Sequence, residues 1–161
     1  PYVAISLDTL ASVLQNEHKL AEPKTAYPEY VTLSWKLWGS RHYRVHTALT
    51  ILIRMLLDQG KWVEAEPLAR EYLEIRETQT PQHWLTAEAR AFLGGALLGQ
   101  KKHPEAERLL ISGYEGMKQC EDDIPAINKP SMKETLQRLV QLYKATGQSE
   151  KAAEWGKKLA E

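Results

Sequence analysis

Cysteine and phenylalanine each occur once in 161 residues, as Cys120 and Phe92. A lone cysteine excludes an internal disulfide framework, and without a CxxC pair or a Cys/His cluster no structural zinc site is expected. This suits a reducing compartment, so the expected localisation is cytoplasmic, in a parent protein that could be membrane-tethered. Net charge is also lacking, because 21 basic residues are balanced by 21 acidic ones and the pI is near 7.4. That removes the strong cationic field behind general nucleic-acid or anionic-membrane binding, and no nucleic-acid partner is expected. The most apolar run, residues 48–57, is interrupted by Arg54 and falls well short of the roughly 20 residues a spanning helix needs, so no membrane insertion is expected. Alternating apolar and polar residues, the mark of a half-buried strand, are missing. So are a Gly-rich phosphate loop, a nucleophile elbow and an identifiable carboxylate pair, and the chain is expected to be no enzyme, with no catalytic residue, cofactor or metal. It begins at Pro1 without a signal pattern, which suggests a segment of a longer protein.

What is present is a repeated turn. Gln59-Gly60-Lys61-Trp62-Val63-Glu64-Ala65-Glu66-Pro67 returns as Gln100-Lys101-Lys102-His103-Pro104-Glu105-Ala106-Glu107-Arg108. A weaker copy is Gly147-Gln148-Ser149-Glu150-Lys151-Ala152, and a shortened one is Lys19-Leu20-Ala21-Glu22-Pro23. The aligned alanines Ala21, Ala65, Ala106 and Ala152 stand 44, 41 and 46 residues apart, a period that marks a helical solenoid. The expected fold is therefore all-α, with antiparallel helix pairs in about four repeats over residues 1–38, 40–77, 80–120 and 130–161 of a single domain.

Leu7, Leu10, Ala11 and Leu14 make an amphipathic stripe and predict a helix over about residues 4–16. Its partner, from Lys19, is broken by Pro28 and resumes over 29–38, before Gly39 and Ser40 as C′ and N-cap residues. Val45, Leu49, Leu52, Ile53, Leu56 and Leu57 predict a helix stopped at Gly60, and Trp62, Ala65, Leu68, Ala69, Tyr72, Leu73 and Ile75 predict its partner. Thr80-Pro81 reads as an N-cap and first helical residue. Gly94-Gly95 costs helix propensity and implies a close helix crossing. His103-Pro104 opens a helix running to about Cys120, and residues 121–129 read as a longer loop. Ser131 and Glu134 have capping-box spacing. Gly147 ends that helix, and Ser149 caps a last one docked by Ala152, Trp155 and Leu159.

With these residues laid out, the chain resembles the tetratricopeptide repeat (TPR) family. Small residues at Ala11 and Gly94, large apolar ones at Leu14 and Leu97, and the four aligned alanines carry the likeness. The Gly-Lys-Trp-x-Glu-Ala-Glu-Pro turn and residues 37–45 look most like the long-period repeats of kinesin light chain and its bacterial relatives. Residues 105–159, with Gly113-Tyr114-Glu115-Gly116-Met117 and Leu139-Val140-Gln141-Leu142-Tyr143, further resemble the C-terminal TPR segment of bacterial serine/threonine kinases. The resemblance implies a right-handed superhelix whose concave groove is lined by the first helix of each repeat. Candidate groove residues are Asp8, Thr9, Ser12 and Gln15; Thr47, Thr50, Ile51 and Arg54; Glu88, Phe92 and Gly95; and Glu134, Gln137, Arg138, Gln141 and Lys144. Hydrogen-bonding side chains around a few apolar ones suit a peptide whose backbone needs partners as water leaves, and the alternative is an ordinary solvated face. Arg54 and Arg138 are placed to pair with acidic groups of a partner.

Two other arrangements carry less. His42 and His46 have the i, i+4 spacing of a zinc pair, but no third ligand accompanies them and a helix start explains them better. Cys120 has no evident partner base, so an idle thiol is the expectation. The leading function is a protein-interaction module binding a protein or peptide, placed by the resemblance in the regulatory tail of a bacterial signalling kinase. The competing one is a scaffold that self-associates through its end faces or through residues 23–38.

Overall fold

A computed structural model describes residues 43–160, which form six α-helices. These are α1 (Tyr43–Asp58), α2 (Trp62–Gln79), α3 (Trp84–Gly99), α4 (His103–Gln119), α5 (Pro130–Ala145) and α6 (Ser149–Ala160). No strand occurs among the described residues. The readings made for residues 1–42, including Asp8, Thr9, Ser12, Gln15 and His42, lie outside them. Packing divides the chain into units 1–52 and 53–161, with the division inside α1.

The described part of the first unit is the start of α1, where Val45, Ala48 and Leu49 are buried and Thr47 is exposed. Thr50 Oγ1 donates to the His46 carbonyl one turn earlier, so its hydroxyl is used within its own helix.

In the second unit each helix from α2 onward packs on the next, and α3 also packs on α5. The repeated turn is why the helices pair. Gly60, Lys101 and Gly147 occupy the same place, each five residues before an aligned buried alanine, and all three have positive φ: 70°, 61° and 72°. Each reverses the chain with the same two hydrogen bonds. Lys61 N–H donates to Leu56 and Gly60 N–H to Leu57; Lys102 to Leu97 and Lys101 to Leu98; Gln148 to Tyr143 and Gly147 to Lys144. This is the Schellman pattern, which satisfies carbonyls a helix end would otherwise leave open. Lys101 adopts a conformation that L-residues with a Cβ disfavour.

The α3–α4 pair is drawn together by glycine. A Cβ on Gly94 would lie 2.8 Å from Leu110 Cγ, and one on Gly113 would lie 2.8 Å from the Ala87 carbonyl oxygen. Trp62 covers Gly99 closely enough that no side chain fits there. Gly95, by contrast, makes room for a side chain: its Cβ position is 3.1 Å from Arg138 Nε. Trp84, Ala87, Ala91 and Met117 form a core closed by Ile124, which anchors the long α4–α5 connection. That connection contains two 3-10 turns, Glu121–Asp123 and Ala126–Asn128.

Two helix starts differ from the sequence reading. The helix expected from Thr80-Pro81 begins at Trp84, because His83 takes the cap and its Nδ1 accepts from Leu85 N–H. Thr80 instead uses its carbonyl to accept from Thr86 Oγ1 at 2.6 Å. The Ser131–Glu134 capping box does not form. Helix α5 starts at Pro130 behind Lys129 with no side-chain cap, and both Ser131 and Glu134 turn to charged residues of other helices.

Candidate functional site

Arg54, near the end of α1, reaches toward both α3 and α5. Its Nη1 donates to Glu134 Oε1 at 3.1 Å, while Nη2 donates to Ser131 Oγ at 3.1 Å and to Glu88 Oε1 at 3.3 Å. The guanidinium lies over the Phe92 ring, 5.4 Å from its centroid. Counting from the positive-φ residue, Glu88 and Glu134 occupy the same place in successive repeats, so one arginine ties equivalent carboxylates together. Ser131 Oγ donates a 2.6 Å hydrogen bond to Glu88 Oε1. Arg138 Nη2 stands 3.7 Å from Glu134 Oε2, with its stem laid over Gly95.

The electrostatics follow from burial. Glu88 has 0 % exposure, and loss of water pushes its carboxyl above the ordinary value; the Ser131 hydrogen bond and the charge of Arg54 pull it back. Burial likewise lowers Arg138, offset chiefly by Glu134, although a guanidinium stays charged at neutral pH. Glu88 Oε2 and Glu134 Oε2 are buried and accept no hydrogen bond. Two cations and two carboxylates thus balance formally, with two acceptor atoms left over.

The expected groove residues therefore divide. Arg54, Glu88, Phe92, Gly95, Glu134 and Arg138 come together. Glu88 and Phe92 are buried beneath the surface, and Arg54 and Arg138 already have carboxylates from their own chain, which limits their freedom to pair with a partner's acids. Gln137 and Gln141 are exposed. Lys144 is exposed at the edge of a separate groove between α5 and α6. Thr47, Thr50 and Ile51 belong to the first unit and Asp8, Thr9, Ser12 and Gln15 lie outside the described residues. The participant missed as a site residue is Ser131, whose spacing to Glu134 pointed to a cap instead.

A second set of polar ties links successive repeat turns. Glu66 accepts from Gln100 at 2.7 Å, Lys102 at 2.8 Å and Arg70 at 3.0 Å, and Arg70 also reaches Glu105 at 3.0 Å. These donors, Lys102 foremost, hold the Glu66 carboxyl down at about 2 against the opposing effect of burial. The matching Glu107 accepts from Tyr143 Oη at 2.7 Å and Lys151 Nζ at 3.5 Å. Burial, and then this carboxylate, push the Tyr143 hydroxyl up to about 12. Among the described residues no group of three or more His, Cys, Asp or Glu side chains could hold a metal, and no helix is long and apolar enough to cross a membrane. Cys120 is a free thiol whose Sγ lies 3.5 Å from the Gln82 carbonyl oxygen.

Neither a protein-family model nor a curated protein sequence matches the chain. Solved structures do. Two crystal structures of a putative kinesin light chain from Podosopora anserina with nearly identical TPR-like repeats, one of them of a point variant, superpose with TM-scores of 0.71 and 0.70. Each is 21 % identical and covers 96 % of this chain; the shares of the neighbours are 71 % and 72 %. At that identity the likeness shows the fold alone, and the fold is an all-α helical repeat of the TPR-like type.

Proposed function

We propose that this chain is a non-catalytic protein-interaction module of the cytoplasm that holds a peptide or partner domain on the side where α3, α5 and Arg54 meet. The observation that carries the reading is the locked polar cluster of Arg54, Glu88, Ser131, Glu134 and Arg138, bordered by the exposed Gln137 and Gln141. A surface fixed before binding loses little side-chain entropy on association. The leftover carboxylate oxygens are buried, so what a partner meets on this side includes the exposed Gln137 and Gln141, whose amides both donate and accept. Because Arg54 and Arg138 are partnered internally, this face gains little from acids on the ligand. The finer setting, the regulatory tail of a bacterial signalling kinase, rests on the sequence resemblance of residues 105–159.

The test is affinity capture from lysate of the source organism with the parent chain and with Gln141→Trp, which adds bulk at an exposed position beside the cluster. Ala153→Trp, on the last helix, is the control. Loss of one retained protein in Gln141→Trp but not in Ala153→Trp supports the reading. Identical retention by all three baits contradicts it.

A further inference from the structure

The connection between α4 and α5 holds the most exposed large hydrophobic side chain among the described residues, Ile127 at 84 %. Pro125, Ala126 and Pro130 beside it are exposed as well. This exposure does not come from where the sequence stops. Ile127 stands twenty residues before the positive-φ Gly147; its counterpart Pro81 stands twenty before Lys101 and is exposed although α5 and α6 follow its own pair, α3 and α4. Nor is the segment loose. Ile124 is buried in the core with Trp84 and Met117, and Met132 packs against the same core. Between them Asn128 N–H donates to the Pro125 carbonyl at 2.8 Å and Lys129 N–H to the Ala126 carbonyl at 3.3 Å. An apolar side chain is thus presented on a fixed turn, and little conformational freedom is lost when it is covered.

Charge selects what covers it. Asp122 and Asp123 lie four and three residues before Ala126, and Lys129 lies three after it, with Lys133 one helical turn further on. All four are exposed, and none has an ion pair among the described residues. The neighbouring Glu121 is already held by Lys118 at 2.6 Å, and Asp123 and Lys129 act on His83 and Glu121 through their fields. The segment is therefore acidic on one side of an apolar centre and basic on the other, which makes it its own complement. A two-fold axis near Ala126 sets the acids of each copy against the lysines of the other and brings Ile127 of each onto the apolar centre of its mate. We infer that two copies of this chain pair through the α4–α5 connection, a surface apart from the Arg54 side. A different protein would need both signs in reverse order around an apolar spot, which a second copy supplies by symmetry. An apolar centre of so few side chains buries less than the roughly 1,000 Å² of a durable interface, so the dimer is a weak one that forms at about 0.1–1 mM.

Sedimentation equilibrium over about 0.02–1 mM protein reads the pairing, because a dimer gains on its monomer with concentration. The parent chain is expected to shift from monomer toward dimer across that range, and Ile127→Asp to stay monomeric while keeping its helical circular dichroism. Asp122→Lys/Asp123→Lys and Lys129→Glu/Lys133→Glu are each expected to weaken self-association at least about tenfold, since each sets like charges against one another. An equimolar mixture of the two is expected to associate again, an outcome that loss of fold cannot produce. A parent chain that stays monomeric up to about 1 mM would overturn the inference. So would a mixture that associates no better than its components. Association that survives Ile127→Asp would overturn it too, in favour of contact through another face such as the helix-pair ends.

Discussion

Replacing Arg54 with Met separates what the guanidinium does from what its stem does. Met keeps apolar contact over Phe92 but removes the donors to Glu134, Glu88 and Ser131. A hydrogen bond to a charged group contributes about 1.5–3 kcal/mol, and breaking a fully buried ion pair costs about 3–5 kcal/mol. Those values apply in reduced form, because the Arg54 and Glu134 side chains are 28 % and 33 % exposed and water replaces part of what is lost. Glu88 has no such relief except to take up a proton. The expected cost at pH 7 is about 2–3 kcal/mol, read by urea denaturation followed by circular dichroism. The pH dependence has a definite sign. A carboxyl raised in the folded state above its ordinary 4.5 binds more protons folded than unfolded, so stability falls as pH climbs from 4.5 through the folded value. Without Arg54 the folded value rises further, and the deficit of the variant should be smaller at pH 5 than at pH 7. Glu88→Gln, which removes the charge, should stay within about 1 kcal/mol of the parent. The double variant should then cost at least about 1 kcal/mol less than the two single changes together. A cost for Arg54→Met below about 0.5 kcal/mol, or strict additivity with Glu88→Gln, refutes the reasoning.

Lys101→Gly should raise stability by about 1 kcal/mol, since Lys101 holds φ 61° where its two counterparts are glycine; a lower urea midpoint would contradict this. Gly113→Ala should cost about 2 kcal/mol despite alanine's better helix propensity, because the new methyl meets backbone atoms of Ala87 and Ala91 at 2.8 and 3.0 Å. Gly156→Ala, facing open space, should instead stabilise by about 1 kcal/mol, and the pair of melts checks the contrast. Glu66→Gln should lose about 1 kcal/mol at pH 7, a figure discounted for solvent around Arg70 and Lys102. Its carboxyl is depressed, so the contribution is present above 4.5 and disappears as pH falls through about 2, where parent and variant melts should converge.

Repetition made the fold legible. The matched turns placed Gly60, Gly147 and the alanines Ala65, Ala106 and Ala152 correctly, whereas the job of Glu66 and Glu107, which share that register and tie one repeat turn to the next, was not read from it. Gly94 read as a close approach, and Leu110 of α4 is what approaches. The site was harder because local and long-range partners compete for the same side chains. Ser131 and Glu134 have the spacing of a cap, yet Arg54 and the buried Glu88 offer stronger, charged partners that only the packing of α1, α3 and α5 brings near. Arg54 read as a free cation for the same reason, since its carboxylates come from other helices, whereas Arg138 pairs with Glu134 one turn earlier on its own helix. Gly95 read as a helix-crossing glycine, whereas it clears space for Arg138. Thr80-Pro81 misled because His83, two residues on, caps with a ring nitrogen.

The central claim is that partners are held beside the Arg54 cluster. Photo-crosslinking residues placed singly at Gln141 and Glu115 test it most directly, Glu115 being exposed on helix α4 and outside the Arg54 cluster. The account predicts that a partner captured from lysate crosslinks strongly from position 141 and weakly or not at all from 115. Equal crosslinking from 141 and 115, or crosslinking from 115 alone, would contradict it.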